Sequence, residues 1–81
     1  MITLLLPIKC TINACGLRCP EPLLKVRQAL NVLCTGEYVE VIATDPASVK
    51  DFHRMAELTK NTLVEFEQQE HIYRYVLKKG L

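Results

Sequence analysis

The spacing of apolar residues changes along the chain, and this change constrains the fold more than any other feature of the sequence. In residues 8–14, IKCTINA, apolar and polar residues alternate, which predicts a half-buried strand. Residues 21–34 repeat apolar side chains every three or four positions, which predicts a helix, and Gly36 is expected to end it as a C-cap. Residues 37–44 are rich in β-branched side chains and predict a second, more buried strand.

A second helix and two further strands complete the pattern. Asp45 is predicted as the N-cap of a helix over residues 45–58, with Pro46 at its first position. Residues 61–68 and 72–79 predict two strands joined as an antiparallel hairpin. The order βαβαββ indicates an α+β fold. We expect a two-layer α/β sandwich in which a four-stranded mixed sheet carries both helices on one face.

Length and charge limit the size of the protein and the class of its partners. For 81 residues we expect a single domain over residues 1–81, with its structured core at about residues 8–80. The 10 basic and 9 acidic residues give a net charge of +1, which argues against direct sequence-specific binding of nucleic acid. Aromatic residues make up 6% of the chain and Trp is absent, which argues against recognition of RNA bases by stacking.

The apolar stretches are too short to predict a membrane span. The longest, LLLPI at residues 4–8, falls far below the roughly 20 residues of a transmembrane helix. No basic leader precedes it, so we expect no secretory signal and a cytoplasmic location. Because cysteines stay reduced in that compartment, the four cysteines are expected to be thiols or metal ligands before disulfides.

The stretch ACGLRCPEPLL, residues 14–24, places a cysteine at the entrance of the first predicted helix. Cys19 falls at or next to the N-cap, and Pro20 is expected at about the first helical position, where the missing N–H has no intrahelical partner to lose. Pro22 still lies in the first turn. The two prolines are therefore expected to stiffen the start of the helix and to fix the direction of the thiol.

Charges around this cysteine bear on its reactivity. The free N–H groups of the helix end and the guanidinium of Arg18 favour the thiolate of Cys19, while the carboxylate of Glu21 opposes it. We expect a net lowering of the pKa of Cys19. The alternative is that Cys19 merely caps the helix, but cysteine is a poor capping residue compared with Ser, Asp or Asn, so a functional thiol is favoured.

The other three cysteines are given smaller roles. Cys15 is a candidate second thiol, able to pair with Cys19 or to take sulfur from it, but the spacing C-x-x-x-C favours a loop residue without a role. Cys10 lies on the apolar face of its strand and is expected in the core. Cys34 is expected at the C-terminal end of the first helix as a structural residue.

A metal site is not expected, because the chain has no paired C-x-x-C units and only His53 and His71 to add nitrogen ligands. Both histidines are predicted at the surface, one on the second helix and one in the hairpin turn. Five cations near the helix entrances could steer acidic partners toward Cys19, although a solvated helix face is the commoner interpretation. This basic collar consists of Arg18, Lys25, Arg27, Lys50 and Arg54.

The stretch ACGLRCPEPLLKVRQAL resembles the Cys-Pro-x-Pro signature of the TusA/SirA-like sulfur carrier proteins. The resemblance continues through GEYVEVIATDPASVKDF to YRYVLKKG, about residues 8–80, and implies the same two-layer α/β sandwich. It implies that Cys19 accepts a sulfane sulfur from a cysteine desulfurase or another sulfur donor protein. Cys19 would hold it as a persulfide and pass it to an acceptor protein. The residues that match the motif as structural supports are Gly16, Pro20 and Pro22.

The resemblance implies a sulfurtransferase-type carrier without a cofactor, expected to act as a monomer. In the best-known branch the relay ends in thiolation of a tRNA wobble uridine, but other relatives serve sulfur oxidation or cofactor metabolism, so the acceptor does not carry over. The chain also departs from the family at three places. Asn13 stands where Asp is common, Lys60 and Asn61 replace a Gly-His-type turn, and Met55 with Ala56 occupies the place of a second cysteine. These departures put the partners in question.

Two other functions are compatible with the same residues. A non-catalytic regulatory or interaction module would use the surface of the fold and would not need the thiol of Cys19. A thiol redox protein would use Cys15 and Cys19 as a reversible pair. The sulfur carrier is favoured over the redox protein because its motif needs only one cysteine.

Overall fold

The computed structural model describes residues 6–80, and its elements follow the predicted order. The α+β fold predicted from the sequence is confirmed. The expected domain over residues 1–81 and the apolar stretch 4–8 both include positions outside the described residues. The elements are β1 (Ile8–Ala14), α1 (Glu21–Val32), β2 (Tyr38–Ala43), α2 (Ala47–Leu58), β3 (Thr62–Gln69) and β4 (Ile72–Lys78).

The four strands form one mixed sheet in the order β1-β2-β4-β3. Strand β1 pairs with β2 in parallel, and their last residues, Ala14 and Ala43, are partners. Strand β4 runs antiparallel to both β2 and β3. Because β1 and β2 are parallel neighbours, their carboxyl ends lie side by side at one edge of the sheet, and so do the loops that lead into α1 and α2.

Both helices cover the same face of the sheet, as predicted. Helix α1 packs on β1 and β2, α2 packs on β3, and the two helices touch each other. The alternation of the strands sends every second side chain into this single core. Among residues 6–80, no helix has the length and apolar character needed to cross a membrane. The core cluster contains Ala14, Val26, Leu30, Leu33, Val39, Val41, Ala43, Phe52, Met55, Tyr73, Tyr75 and Leu77.

The opposite face of the sheet carries a polar network centred on Arg74. Its guanidinium donates to the carboxylates of Glu40, Glu65 and Glu67, and Glu40 also accepts from Thr11 Oγ1 at 2.9 Å. The network thus connects side chains from all four strands. The hydrogen bond from Arg74 holds the pKa of Glu40 below its ordinary value.

The structure corrects the predicted end of the first helix. Helix α1 ends at Val32 rather than at residue 34, because Leu33 turns to an extended conformation and buries its side chain in the core. Gly36 is therefore not the C-cap of α1. It has a φ of 91° in the turn closed by the N–H of Glu37 and the carbonyl of Cys34, where a positive φ favours glycine.

A buried hydroxyl pair joins α2 to the central strand β4. Ser48 lies in the first turn of α2 and is 2% exposed, and its Oγ is 2.7 Å from the hydroxyl oxygen of Tyr75. The ring of Tyr75 also packs edge-on against Phe52, with 4.3 Å between centroids. These contacts fix the start of α2, and hence the loop before it, against the sheet.

We predict that Tyr75→Phe destabilises the protein by about 1–2 kcal/mol, because it leaves the buried Ser48 hydroxyl without its partner. The free energy of unfolding in urea measures the loss. Ser48→Ala supplies the other single variant of a double-mutant cycle. The double variant should be less destabilised than the sum of the two single variants. Strict additivity would show that this hydrogen bond does not stabilise the fold.

Candidate functional site

The loops after β1 and β2 are joined side by side at the edge of the sheet. Gly16 has a φ of 82° in the turn closed by the N–H of Leu17 and the carbonyl of Ala14. Its N–H donates to Thr44 Oγ1 at 2.8 Å. A Cβ at Gly16 would meet no atom within 4 Å, so glycine is favoured there by its backbone conformation rather than by space.

The carboxylate of Asp45 makes the second connection between the loops. Its Oδ2 accepts the backbone N–H of Cys19 at 2.7 Å, and its Oδ1 accepts that of Ala47 at 3.1 Å. The predicted N-cap was therefore one residue early, since α2 begins at Ala47 and Pro46 is the residue before it. Asp45 nevertheless satisfies a free N–H group of the first turn while it holds the backbone of Cys19.

The side chain of Cys19 contacts a second carboxylate on α2. Cys19 is exposed, and its Sγ donates to Oδ2 of Asp51 at 2.7 Å. Asp51 lies four residues after Ala47, so it is one turn further along the helix on the same side. Asp51 was not among the residues predicted from the sequence. The only signal for it was its place in DPASVKD, in the second turn of the predicted helix.

The prolines sit one position earlier relative to α1 than predicted. The helix begins at Glu21, so Pro20 is the N-cap and Pro22 the second helical residue. The Cys19–Pro20 peptide bond is cis. Pro22 is fully buried, so it anchors the start of α1 in the core, whereas Pro20 and Glu21 are exposed.

The predicted lowering of the pKa of Cys19 is wrong, because the pKa is raised. The largest cause is the hydrogen bond to Asp51, followed by desolvation and by the negative charges of Asp51 and Asp45. The helix end gives little help to a thiolate. Prolines supply no N–H, and the N–H of Glu21 donates to the carbonyl of Arg18 at 2.8 Å. The charge of Arg18 acts on Asp45 instead, where it helps to lower the pKa of that carboxylate.

The other cysteines lie apart from this arrangement, and all four are free. Cys15 is exposed in the same loop, with its N–H donated to Asn13 Oδ1 at 3.1 Å. Cys10 was expected in the core, but it is only partly buried and packs against the core cluster. Cys34 is exposed and lies beyond the end of α1, so it does not sit at the helix terminus where it was predicted.

Two members of the basic collar line a groove between the helices. Arg27 and Arg54 line a groove of about 290 Å³ between α1 and α2, together with Asp51 and apolar side chains from both helices. Lys25 and Lys50 are exposed. Asp51, which contacts the Sγ of Cys19, is thus part of a groove that combines two cations with apolar side chains.

The two histidines are at the surface, as predicted. His53 packs edge-on against Phe66, and its Nδ1 lies 2.7 Å from the carbonyl oxygen of Val49. His71 is in the turn between β3 and β4. Within residues 6–80, no three His, Cys, Asp or Glu side chains are grouped so that they could hold a metal ion.

The positions that depart from the expected family pattern have structural contacts of their own. Asn13 holds the backbone of Cys15, and Asn61 Oδ1 accepts the N–H of Gly80 at 3.0 Å. Met55 is 7% exposed and belongs to the core. Asn13, Asn61 and Met55 therefore each make contacts within the fold.

Comparison with known proteins identifies relatives of this chain. The sequence model of the family described as Sulfurtransferase TusA matches residues 10–79. A sulfur carrier protein TusA from Allochromatium vinosum is 41% identical over 69 residues, which cover 85% of this chain and 91% of that protein. A crystal structure of a SirA-like protein from Desulfitobacterium hafniense superposes with a TM-score of 0.75 at 26% identity, covering 89% of this chain and 99% of the other.

Asp45 should titrate below the usual range of an aspartate. The hydrogen bonds from the N–H groups of Cys19 and Ala47 lower its pKa, with a smaller contribution from the charge of Arg18. Its carboxyl carbon, followed by NMR, should therefore show a midpoint below about 3.9. A midpoint at or above that value would contradict the two hydrogen bonds.

The same shift fixes the sign of the effect on stability. A lowered pKa in the folded state stabilises the protein above the pKa of the unfolded chain, and this stabilisation is lost as the pH falls through the lower folded value. Asp45→Asn should therefore lose less stability on acidification than the unsubstituted protein. An equal loss of stability on acidification in Asp45→Asn and in the unsubstituted protein would contradict this stabilising contribution of Asp45.

Proposed function

The chain belongs to the TusA sulfurtransferase family, and from that premise we propose that Cys19 carries a sulfane sulfur as a persulfide and passes it to an acceptor protein. One observation carries the proposal. The family's cysteine is exposed at the edge of the sheet, on a loop whose backbone is held by Asp45, so another protein can reach its sulfur. A carrier needs this combination of access and fixed position.

The loading step is an exchange of sulfur without net oxidation. The thiolate of Cys19 attacks the outer sulfur of a persulfide on a donor protein. A bond forms between Sγ and that sulfur, and the donor's sulfur–sulfur bond breaks. Its electron pair leaves on the donor cysteine, which takes up the proton released by Cys19. Delivery is the reverse exchange, in which a thiolate of the acceptor attacks the outer sulfur on Cys19.

The neighbouring residues position the thiol in this mechanism. Pro22 anchors the helix in the core, and Pro20 with Glu21 shapes the exposed start of α1. Gly16 permits the turn that ties the loop to Thr44. The charge of Arg18 favours the ionised carboxylate of Asp45, the residue that holds the Cys19 backbone.

The partners are one donor and one acceptor. We propose a cysteine desulfurase or another sulfur donor protein as the source, and the groove that contains Asp51, the partner of Cys19, as the surface that meets it. The first acceptor to test is the next protein of a relay toward tRNA wobble-uridine thiolation. In such a relay, the RNA contacts the later proteins rather than this one. The exchange needs a reduced thiol, which is consistent with a cytoplasmic location.

The proposal predicts that incubation with a cysteine desulfurase and free cysteine adds the mass of one sulfur atom to the protein. Intact-mass spectrometry measures the gain. Cys19→Ser should abolish it, because the attacking sulfur is removed. Cys34→Ser is the matched control, because it removes another exposed thiol distant in sequence, and it should load like the unsubstituted protein.

Two results would contradict the proposal. Sulfur loading that persists in Cys19→Ser would show that another cysteine carries the sulfur. A reversible disulfide between Cys15 and Cys19 as the main product would favour the thiol redox function instead.

A further inference from the structure

We propose that Asp51 holds Cys19 as a neutral thiol in the free protein, and that it thereby restricts sulfur loading from small donors that do not dock. This inference rests on the proposed function, since it concerns the selectivity of the same thiol. Asp51 contacts the reacting sulfur itself, at 2.7 Å between Oδ2 and Sγ.

The hydrogen bond favours one protonation state of Cys19. An ionised carboxylate only accepts hydrogen bonds, so the proton between the two atoms belongs to the thiol. Removal of that proton would leave two negative groups at hydrogen-bond distance and would also abolish the bond. Both effects disfavour the thiolate.

The other charged groups near the thiol do not reverse this effect. Asp45, in the loop before α2, adds negative charge, as its contribution to the raised pKa of Cys19 shows. Glu21, in the first turn of α1, has the same sign. Arg18 acts on Asp45. Arg27 and Arg54 line the groove with Asp51, and Lys25 and Lys50 are exposed, but the groups that shift the pKa of Cys19 include no cation. A donor protein that contacts the carboxylate of Asp51 would change this balance, whereas a small donor that does not reach it leaves the balance unchanged.

Restriction of the thiolate affects loading directly, because the thiolate is the attacking species. With inorganic polysulfide, Sγ attacks a sulfur atom of the polysulfide and a bond forms between the two atoms. A shorter polysulfide leaves with the electron pair of the broken sulfur–sulfur bond. After loading, the inner sulfur has no proton to donate. The outer sulfur is about 2 Å further along the bond, so Asp51 acts mainly on the empty thiol.

The test is the rate of alkylation of Cys19 by iodoacetamide as a function of pH. Trypsin cleaves after Arg18 and Lys25, so residues 19–25 form a peptide with Cys19 as its single cysteine, on which the reaction can be followed. Asp51→Asn should move the midpoint of the profile to lower pH. Each unit of that shift raises the thiolate fraction about tenfold and lowers its nucleophilicity about threefold, so the net gain at pH 7 is about threefold per unit.

Glu57→Gln is the matched control, because it removes an exposed carboxylate from the same helix and should keep the original profile. Asp51→Ala should repeat the shift seen in Asp51→Asn, which separates loss of the carboxylate from any effect of the amide. Asp51→Asn should also load faster from inorganic polysulfide at pH 7, by a factor similar to its gain in alkylation.

An alkylation profile of Asp51→Asn that coincides with those of Glu57→Gln and the unsubstituted protein would overturn the inference. So would polysulfide loading that is no faster. Alkylation involves no sulfur transfer, so failure in this assay leaves the carrier function standing. If instead no variant accepts sulfur while the alkylation shift is present, the carrier function fails and the role of Asp51 in protonation remains.

Discussion

The carboxylate of Asp45 is the contact on which the geometry of the site depends. It accepts one N–H group from the loop after β1 and another from the first turn of α2, at Cys19 and Ala47. Parallel pairing of β1 and β2 brings these loops to the same edge of the sheet, and the bond between Gly16 and Thr44 keeps them together. The position of the thiol thus follows from sheet topology and one charged acceptor, while the buried side chain of Pro22 holds the start of α1.

The order of elements could be predicted because periodicity is a local property of the sequence. Residues 8–14 alternate and residues 21–32 repeat at helical spacing, and neither pattern requires knowledge of the rest of the chain. Helix ends were less predictable. Leu33 leaves the helix to reach the core, which shifts Gly36 from a C-cap to a turn, and that competition is decided by tertiary packing rather than by residue preference.

The electrostatics of the site could not be derived from the local sequence. Arg18 and the helix end suggested a stabilised thiolate, but the group that dominates is Asp51, which is 32 residues away along the chain. Only the pairing of two loops brings it to the sulfur. The hydrogen bond to Asp51 favours the thiol over the thiolate, which is the form that attacks sulfur. The fold thus provides position and access for Cys19, and in the proposed mechanism its reactivity depends on the encounter with a partner.

The central claim is that Cys19, among the four cysteines, holds the transferred sulfur. Peptide mapping of the unsubstituted protein tests it most directly, after loading by a cysteine desulfurase and alkylation of the persulfide. Trypsin separates residues 19–25 from residues 10–18, which carry Cys10 and Cys15, and from residues 28–50, which carry Cys34. We predict that the additional sulfur is found on the peptide of residues 19–25. Its recovery mainly on either of the other two peptides would contradict the assignment of Cys19 as the carrier.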